Sequence, residues 1–422
     1  MQRSLAYALS PAPGLPLRFL LAAPWFGVLA ALALLAAGAS TFESRWTPSA
    51  LGATHLLTLG YLGMAMAGSM LQLIPVVTGI ALPFSRAAGA FAWSALAAGA
   101  VLLASALGLN ATSLFAPAAL LLALAFATLG GGIAAALVRP ASAAAMPMVR
   151  GMRLAGAGLF VTVVLGVVLA LALGGVLSAP VFMLANLHAA WGLLGWVAML
   201  IAGVAFQVIP MFQSSRLYPP PVAKWGPLVL AGLLCAWSAA WVAGHAGAQL
   251  AAMLLGALLT GFALLSARLL ASRKRPQPDV TTLYWRLSLA SLAASCALYL
   301  LPDSQQAQLV VGIVFVGGFA MGAVNGMLYK IVPFLLWYHL QHDPRATKGA
   351  VPSIRVILPD ALARRQFWWH AAALPALAGA VYLPWLARPG AALLGVASLL
   401  LALDLARAAL LARTTRSAFQ PS

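Results

Sequence analysis

Three stretches of the sequence, GYLGMAMAGSMLQLIP (60–75), GWVAMLIAGVAFQVIP (195–210) and GFAMGAVNGMLYKIVP (318–333), share one spacing pattern. In each stretch a glycine is followed by a second glycine eight residues later, then by Gln or Lys, and then by proline. The pattern residues are Gly60, Gly68, Gln72 and Pro75, then Gly195, Gly203, Gln207 and Pro210, then Gly318, Gly326, Lys330 and Pro333. Self-similarity at a near-constant period predicts a structural unit that occurs three times along the chain.

The sequence around these stretches is strongly apolar. Of 422 residues, 63% are hydrophobic and 7% are charged, whereas about a quarter of the residues in a soluble domain are charged. The two cysteines, Cys235 and Cys296, lie inside apolar runs, so we expect neither a disulfide framework nor a cysteine metal site. Runs near the length of about 20 residues that a membrane span needs occur at roughly 17–39, 52–80, 88–108, 113–138, 151–176, 182–213, 225–244, 248–270, 281–301, 308–338, 366–386 and 390–412. The sequence therefore predicts an all-α integral membrane protein with twelve transmembrane helices.

Each repeated stretch lies in the second span of a block of four. We therefore predict one membrane domain made of three four-helix repeats, at approximately 1–145, 146–275 and 276–422. Paired glycines leave one helix face bare over two turns, which lets neighbouring backbones approach closely. We expect spans two, six and ten to meet through these faces and to form a central ring.

The polar residue before each proline has two candidate roles. Proline frees a backbone carbonyl one turn earlier, and Gln72, Gln207 or Lys330 is expected either to satisfy the disturbed backbone or to extend to the membrane interface. For Lys330, proton or anion handling is the alternative.

The formal charge of +18 is explained by topology. With the amino terminus in the cytoplasm, twenty-one basic residues fall on that side, including Arg3, Arg275 and Lys348, and only Arg45 and Arg388 fall opposite. This asymmetry is the positive-inside pattern, which predicts a bacterial-type inner membrane protein with both termini in the cytoplasm. The cations are expected to contact anionic lipid and not nucleic acid.

Two of the six histidines are candidate metal ligands. His55 and His188 begin spans two and six, about 30 Å before the proline ends, and therefore lie near the outer membrane edge. Intramembrane histidine indicates a functional site, and imidazole is a usual ligand of haem iron and copper. The alternative is a hydrogen bond at headgroup level. The third repeat offers only Ile313 or Val311 at this place.

A ligating imidazole needs a partner for its second nitrogen. Thr54, Asn186 or an outer-loop carbonyl are the candidates for this role. The other histidines are placed in an outer loop, after the tenth span and at the start of the eleventh span, and they are His245, His339, His342 and His370.

The three blocks, the paired histidines and the phrases HAAWGLLGWVAMLIAGVAFQVIP (188–210) and GFAMGAVNGMLYKIVPFLLW (318–337) resemble the catalytic subunit (subunit I) of haem-copper oxidases. The C-type branch and the nitric oxide reductases are most similar, and the haem- and copper-containing NnrS family is a second family that the chain resembles. The oxidase resemblance implies that His55 is a ligand of the low-spin haem and His188 a copper ligand. It also implies haem b or copper as cofactor, and respiratory-complex subunits or cytochrome c as partners.

The ligand set departs from that family. Its seventh span carries a pair of histidines, but residues 226–244 contain none, and the tenth span has none before His339. A complete oxygen- or nitric-oxide-reducing centre is therefore not expected. We predict an oxidase-like membrane protein with at most one outer-side haem or copper site, acting in electron transfer, in response to oxygen or nitric oxide, or as an accessory to a respiratory complex. A cofactor-free permease or membrane scaffold is the alternative.

The predicted orientation can be tested by cysteine labelling. Cysteines introduced as Ser272→Cys and Ser353→Cys should react with an impermeant maleimide in inverted vesicles and stay unlabelled in intact cells. Solubilised protein provides the control for reactivity. Labelling of either position from outside intact cells would contradict the topology.

Overall fold

The computed structural model describes residues 9–83, 85–139, 145–274, 277–301, 304–346 and 350–419. Within these ranges the chain forms helices and no strand. The long helical segments are Gly14–Phe42 (α1), Pro48–Thr78 (α2), Arg86–Gly108 (α3), Thr112–Leu137 (α4), Met146–Leu173 (α5), Val181–Gln213 (α6), Pro220–Val242 (α7), Gly247–Ala271 (α8), Val280–Leu298 (α9), Gln305–Gln341 (α10), Asp360–Ala380 (α11) and Pro384–Ser417 (α12). Arg3, Arg275 and Lys348, which contributed to the predicted orientation, lie outside the described ranges.

Ten of these segments are long and apolar enough to cross a membrane. The exceptions in the described chain are α9 and α11, whose polar residues, such as Arg286 and Arg364, lower their hydropathy. Large apolar side chains on the surface, including Leu120, Phe160 and Leu264, are more than half exposed. Such a surface suits contact with lipid, and the protein is a multi-pass helical membrane protein.

Side-chain caps mark the beginnings of four helices. Thr47, Ser85, Asp279 and Ser304 each accept a hydrogen bond from the backbone amide three residues later. These bonds satisfy amides that have no partner within the helix. At the other end of α2, Gly79 adopts φ 70°, the left-handed conformation that favours glycine at a helix end.

The glycines of α2 and α6 lie against the helices that precede them. A Cβ on Gly60 would overlap the ring of Phe26 in α1. A Cβ on Gly203 would lie 2.9 Å from Cα of Gly151 in α5. Because both contacts leave no room for a side chain, glycine at these positions permits the close approach of the two helices.

The glycines of α10 follow the same rule. A Cβ on Gly326 would lie 2.7 Å from Cβ of Tyr284 in α9, and one on Gly318 would overlap the hydroxyl of Ser291 in the same helix. The expectation that the three glycine faces contact one another is therefore wrong. Five of the six glycines lie against the preceding helix, and Gly195 lies between Gly158 of α5 and Leu234 of α7.

Other faces of α2, α6 and α10 meet around one apolar cavity. Its lining includes Met70 of α2, Val204 of α6 and Met327 of α10. The cavity lies toward the end of the bundle that carries Pro75, Pro210 and Pro333, which we call the proline end. The opposite end, which carries His55 and His188, is called the histidine end.

A buried chain of polar side chains connects five helices. Tyr61 of α2 donates to Oδ1 of Asn325 in α10, and Tyr284 of α9 donates to Oε1 of Gln366 in α11. Asn325 Nδ2 approaches the Tyr284 hydroxyl at 3.5 Å, and Gln366 Nε2 donates to the carbonyl of Ala397 in α12 at 3.1 Å. Since buried polar groups are costly without partners, these bonds fix how the helices are rotated against each other.

The polar residues before the prolines do not satisfy the helix backbone. Lys330 Nζ lies 2.7 Å from Oδ2 of Asp279 at the start of α9, and Gln72 Nε2 donates to the hydroxyl of Ser10 at 2.7 Å. Gln207 makes no hydrogen bond within the described ranges. Lys330 therefore forms an ion pair with the carboxylate that caps the neighbouring helix α9. The sequence around Lys330 does not reveal this partner.

The pKa of Asp279 reflects opposing effects. Partial burial raises the pKa of this carboxyl group, but the hydrogen bond and charge of Lys330, together with the bonds from Thr282, hold the pKa below its ordinary value. A carboxylate with a lowered pKa stabilises the fold above its unfolded pKa of about 3.9. That contribution is lost as the pH falls through the lowered folded value.

We expect Lys330→Met to lower the melting temperature at pH 7, because Asp279 would be left partly buried without its cation. The difference from the wild type should shrink below about pH 4, where the carboxylate becomes protonated. Thermal unfolding of both proteins between pH 7 and pH 3 measures this difference in melting temperature. Lys274→Met, which replaces an exposed lysine, is the matched control. A difference that does not change with pH would exclude this ion pair as the cause.

Replacing Gly203 by leucine should destabilise the protein by about 1–3 kcal/mol, because the side chain would force α5 and α6 apart. Gly261 in α8 offers the matched control, since nothing lies within 4 Å of a Cβ there. Thermal unfolding in detergent compares Gly203→Leu with Gly261→Leu. Equal stability of the two variants would show that the α5–α6 contact is not tight.

Candidate functional site

His55 and His188 lie at corresponding places in α2 and α6. In each helix a π-helical segment follows the histidine, Leu56–Gly63 in α2 and Trp191–Ala198 in α6. A third π-helical segment, Val314–Ala320, occupies α10. Such wide turns are rare in helices and are frequent at functional sites. They occur at the same level of α2, α6 and α10.

The two imidazoles are neighbours. Their ring centroids are 6.2 Å apart and their planes differ by 16°. This distance lies within the range of about 4.5–7 Å that paired aromatic rings show. The sequence predicted equivalent positions for the two histidines, and the structure brings their side chains together.

The separation matches a metal held between two imidazoles. An imidazole nitrogen binds a metal at about 2.0–2.1 Å, and the ring centre lies about 1.1 Å behind that nitrogen. Two opposed imidazoles on one metal therefore have ring centres about 6.2–6.4 Å apart. The distance of 6.2 Å between His55 and His188 fits this arrangement.

Both histidines use the same ring nitrogen for a backbone bond. Nδ1 of His55 lies 2.8 Å from the carbonyl of Leu51, and Nδ1 of His188 lies 3.0 Å from the carbonyl of Thr162 in α5. A carbonyl only accepts, so each Nδ1 carries the hydrogen and each Nε2 keeps its lone pair for a ligand.

The predicted partners of the second nitrogen are wrong. Thr54 does not bond to either ring, and Asn186 is used elsewhere. The Asn186 side chain donates to the Phe182 carbonyl at 2.9 Å and accepts from Arg45 Nη2 at 2.8 Å. The carbonyls that bond to the histidines come from the helices themselves and not from an outer loop.

Neighbouring residues hold the two helices at this distance. The Arg45–Asn186 bond ties the segment between α1 and α2 to the beginning of α6. Trp46 of the same segment packs edge-on against Phe182, with ring centroids 5.2 Å apart. Gly166 of α5 makes room for the imidazole, since a Cβ there would lie 3.0 Å from Cε1 of His188.

Packing around the histidines is loose compared with the rest of the bundle. In α6, residues 181–194 are all at least partly exposed except Leu187, whereas residues 195–200 are all buried. In α10, residues 310–314 are half-buried and Phe315 and Val316 are buried. The side chains at the histidine end are therefore more exposed than those of the middle of the bundle.

Among the described residues, no third His, Cys, Asp or Glu joins the pair. The described part of the chain contains no group of three or more His, Cys, Asp or Glu residues that could hold a metal. His245 is exposed, and His339 and His342 lie at the proline end. Within the part of the chain that the structure describes, the candidate site thus consists of two imidazoles.

His370 has a different environment from the one predicted. It lies in the middle of α11, not at the start of a span, and is 1% exposed. Its Nε2 lies 3.0 Å from the carbonyl of Gly317, inside the π-helical segment of α10. The sequence reasoning missed this contact, because only the packing of α11 against α10 shows it. His370 is a structural partner of a wide turn rather than a third ligand.

Comparison with known proteins does not assign a family or a function to the chain. No protein-family model matches the sequence, and no curated protein matches it. The assignment of His55 and His188 therefore depends on their geometry and on the resemblance carried by the repeated stretches.

Proposed function

We propose that the protein is a haem-copper oxidase-like membrane protein that binds one haem iron or copper ion between His55 and His188 and acts in electron transfer. The observation that carries this proposal is the 6.2 Å separation of two near-parallel imidazoles, each with Nδ1 bound to a carbonyl. Both Nε2 atoms are then available to one metal ion. Haem b and copper are the two candidate groups.

The number of ligands favours electron transfer over gas binding. If His55 and His188 both bound the iron of a haem, that haem would supply reversible one-electron transfer and would leave no site for oxygen or nitric oxide. The backbone carbonyls of Leu51 and Thr162 orient the two imidazole rings by accepting hydrogen bonds from their Nδ1 atoms.

The architecture that we propose is twelve spans in three four-helix repeats around a central ring of α2, α6 and α10. The helices α9 and α11, of 19 and 21 residues, are long enough at 1.5 Å per residue to complete the count. The equivalent glycine contacts of α2 with α1, α6 with α5 and α10 with α9 support three repeats.

The membrane and its sidedness belong to the same proposal. The distribution of basic residues favours a bacterial inner membrane with both termini in the cytoplasm. The histidine end would then face the outer side. Cytochrome c or a subunit of a respiratory complex could exchange electrons there.

The metal site is tested by cofactor content. Wild type, His55→Ala and His188→Ala are expressed with haem precursor and copper supplied, and the purified proteins are analysed by absorbance in both redox states and by elemental analysis. We expect about one equivalent of haem or copper in the wild type and at least a tenfold loss in each variant. His245→Ala, at an exposed histidine of the same end, should keep the wild-type content.

The spectrum separates the outcomes further. A haem held by both imidazoles is low-spin, so any haem retained by a single variant should become high-spin. Haem or copper that is unchanged in both variants would refute the site. Folded wild type without either cofactor would leave the cofactor-free permease or scaffold as the function.

A further inference from the structure

The apolar cavity near the proline end is a second candidate site, remote from the two histidines. It has a volume of about 130 Å³ and lies between α2, α6 and α10, with part of α5 in its wall. Five of the thirteen methionines of the chain line this one cavity, and they are Met66, Met70, Met152, Met211 and Met327. They come from four different helices. The fold therefore concentrates thioether groups at one place.

Two of these methionines lie at nearly the same depth on helices of different repeats. Met70 of α2 is five residues before Pro75, and Met327 of α10 is six residues before Pro333. With a rise of 1.5 Å per residue, the two residues are about 7.5 and 9 Å from the level of their prolines. Because both side chains line the cavity, they reach it from two sides at a similar depth.

A third methionine reaches this depth from α5. Met152 follows Gly151, whose Cα would lie 2.9 Å from a Cβ on Gly203, and Gly203 is seven residues before Pro210. Met152 is therefore about 10 Å from the proline level, and it is fully buried. Methionine also fills irregular gaps in apolar interiors, but packing alone does not require three helices to supply it at one depth.

An amide oxygen beside these methionines has no hydrogen-bond partner among the described residues. Gln72 lines the same cavity and is two residues from Met70. Gln72 is 9% exposed, its Nε2 donates to the hydroxyl of Ser10 at 2.7 Å, and its buried Oε1 is left over. A buried polar atom without a partner is costly. A cation in the cavity would remove that cost, whereas the oxygen would repel an anion.

We propose that this cavity binds one monovalent copper ion, Cu(I), through the thioether sulfur atoms of Met70, Met152 and Met327. Soft thioether ligands select Cu(I), and their polarisable sulfur atoms spread the single positive charge of the ion. Gln72 Oε1 supplies a negative dipole end, and Trp285 in the cavity wall supplies an aromatic face that attracts cations. The ion keeps its oxidation state on binding. This site goes beyond the proposed function, because it shares no ligand with the histidine pair.

Other ligand classes fit these groups less well. Ca²⁺ and Mg²⁺ need several oxygen ligands, and Zn²⁺ is bound by Cys, His, Asp or Glu. Among the described residues, none of these four types and no Lys or Arg lines the cavity. An anion would be buried without a counter-charge, which is strongly unfavourable. An apolar molecule would fit the wall but would leave Gln72 Oε1 without a partner.

Copper binding is tested with the purified protein in lipid nanodiscs, titrated without oxygen with Cu(I) that a bathocuproine competitor buffers. X-ray absorption at the copper edge should show sulfur ligands in the wild type. Met70→Leu, Met152→Leu and Met327→Leu should each weaken Cu(I) binding by about tenfold or more, because even changes in groups that orient metal ligands cost about 10- to 100-fold in affinity. Leucine is similar in volume to methionine, so these variants should fold.

The matched control is Met253→Leu, at an exposed methionine of α8, which should bind Cu(I) like the wild type. His55→Ala should keep the sulfur-bound copper, and X-ray absorption separates this copper from copper at the histidines, so each site is counted on its own. Failure of the histidine site and failure of this site are therefore different results.

Three results would each overturn the proposal. They are wild-type affinity in all three cavity variants, bound Cu(I) without sulfur ligands, and loss of Cu(I) in His55→Ala while the cavity variants keep it. Thermal unfolding identifies any variant that does not fold, and the remaining cavity variants then decide.

Discussion

Close approach of helix backbones at glycine determines where the other elements of this protein lie. Apolar helices gain little from hiding apolar surface when the solvent is lipid, so contact between bare faces holds them together. Gly60, Gly203 and Gly326 allow α2, α6 and α10 to pack directly on α1, α5 and α9. The remaining faces of these three helices are then free to meet around the cavity at one end and to present His55 and His188 at the other.

Part of this arrangement follows from the sequence. The composition predicts a multi-pass helical membrane protein, and the similar distances of His55 from Pro75 and of His188 from Pro210 place the two histidines at near-equivalent depths. Equal depth on two helices is necessary for a shared site, but it does not fix the direction of either side chain. The ring separation of 6.2 Å depends in addition on the rotation of each helix.

The spacing of residues along the sequence does not predict contacts between distant parts of the chain. Thr162 bonds to His188 from another helix, and Lys330 finds its carboxylate 51 residues earlier. The polar groups of α9 and α11, such as Tyr284 and Gln366, lower the hydropathy that a search for spans uses, although they are buried in the bundle. A single sequence gives the polarity of such residues without showing the partners that make burial favourable.

The π-helical segments also separate the orientation of the histidine from that of the glycine on the same helix. Leu56–Gly63 lies between His55 and Gly68, and a wide turn corresponds to one inserted residue in an ordinary helix. A wide turn rotates the chain by fewer degrees per residue than the 100° of an α-helix, so it absorbs the extra residue. His55 and the glycine contact can therefore keep their directions even though one more residue lies between them than a regular helix would hold.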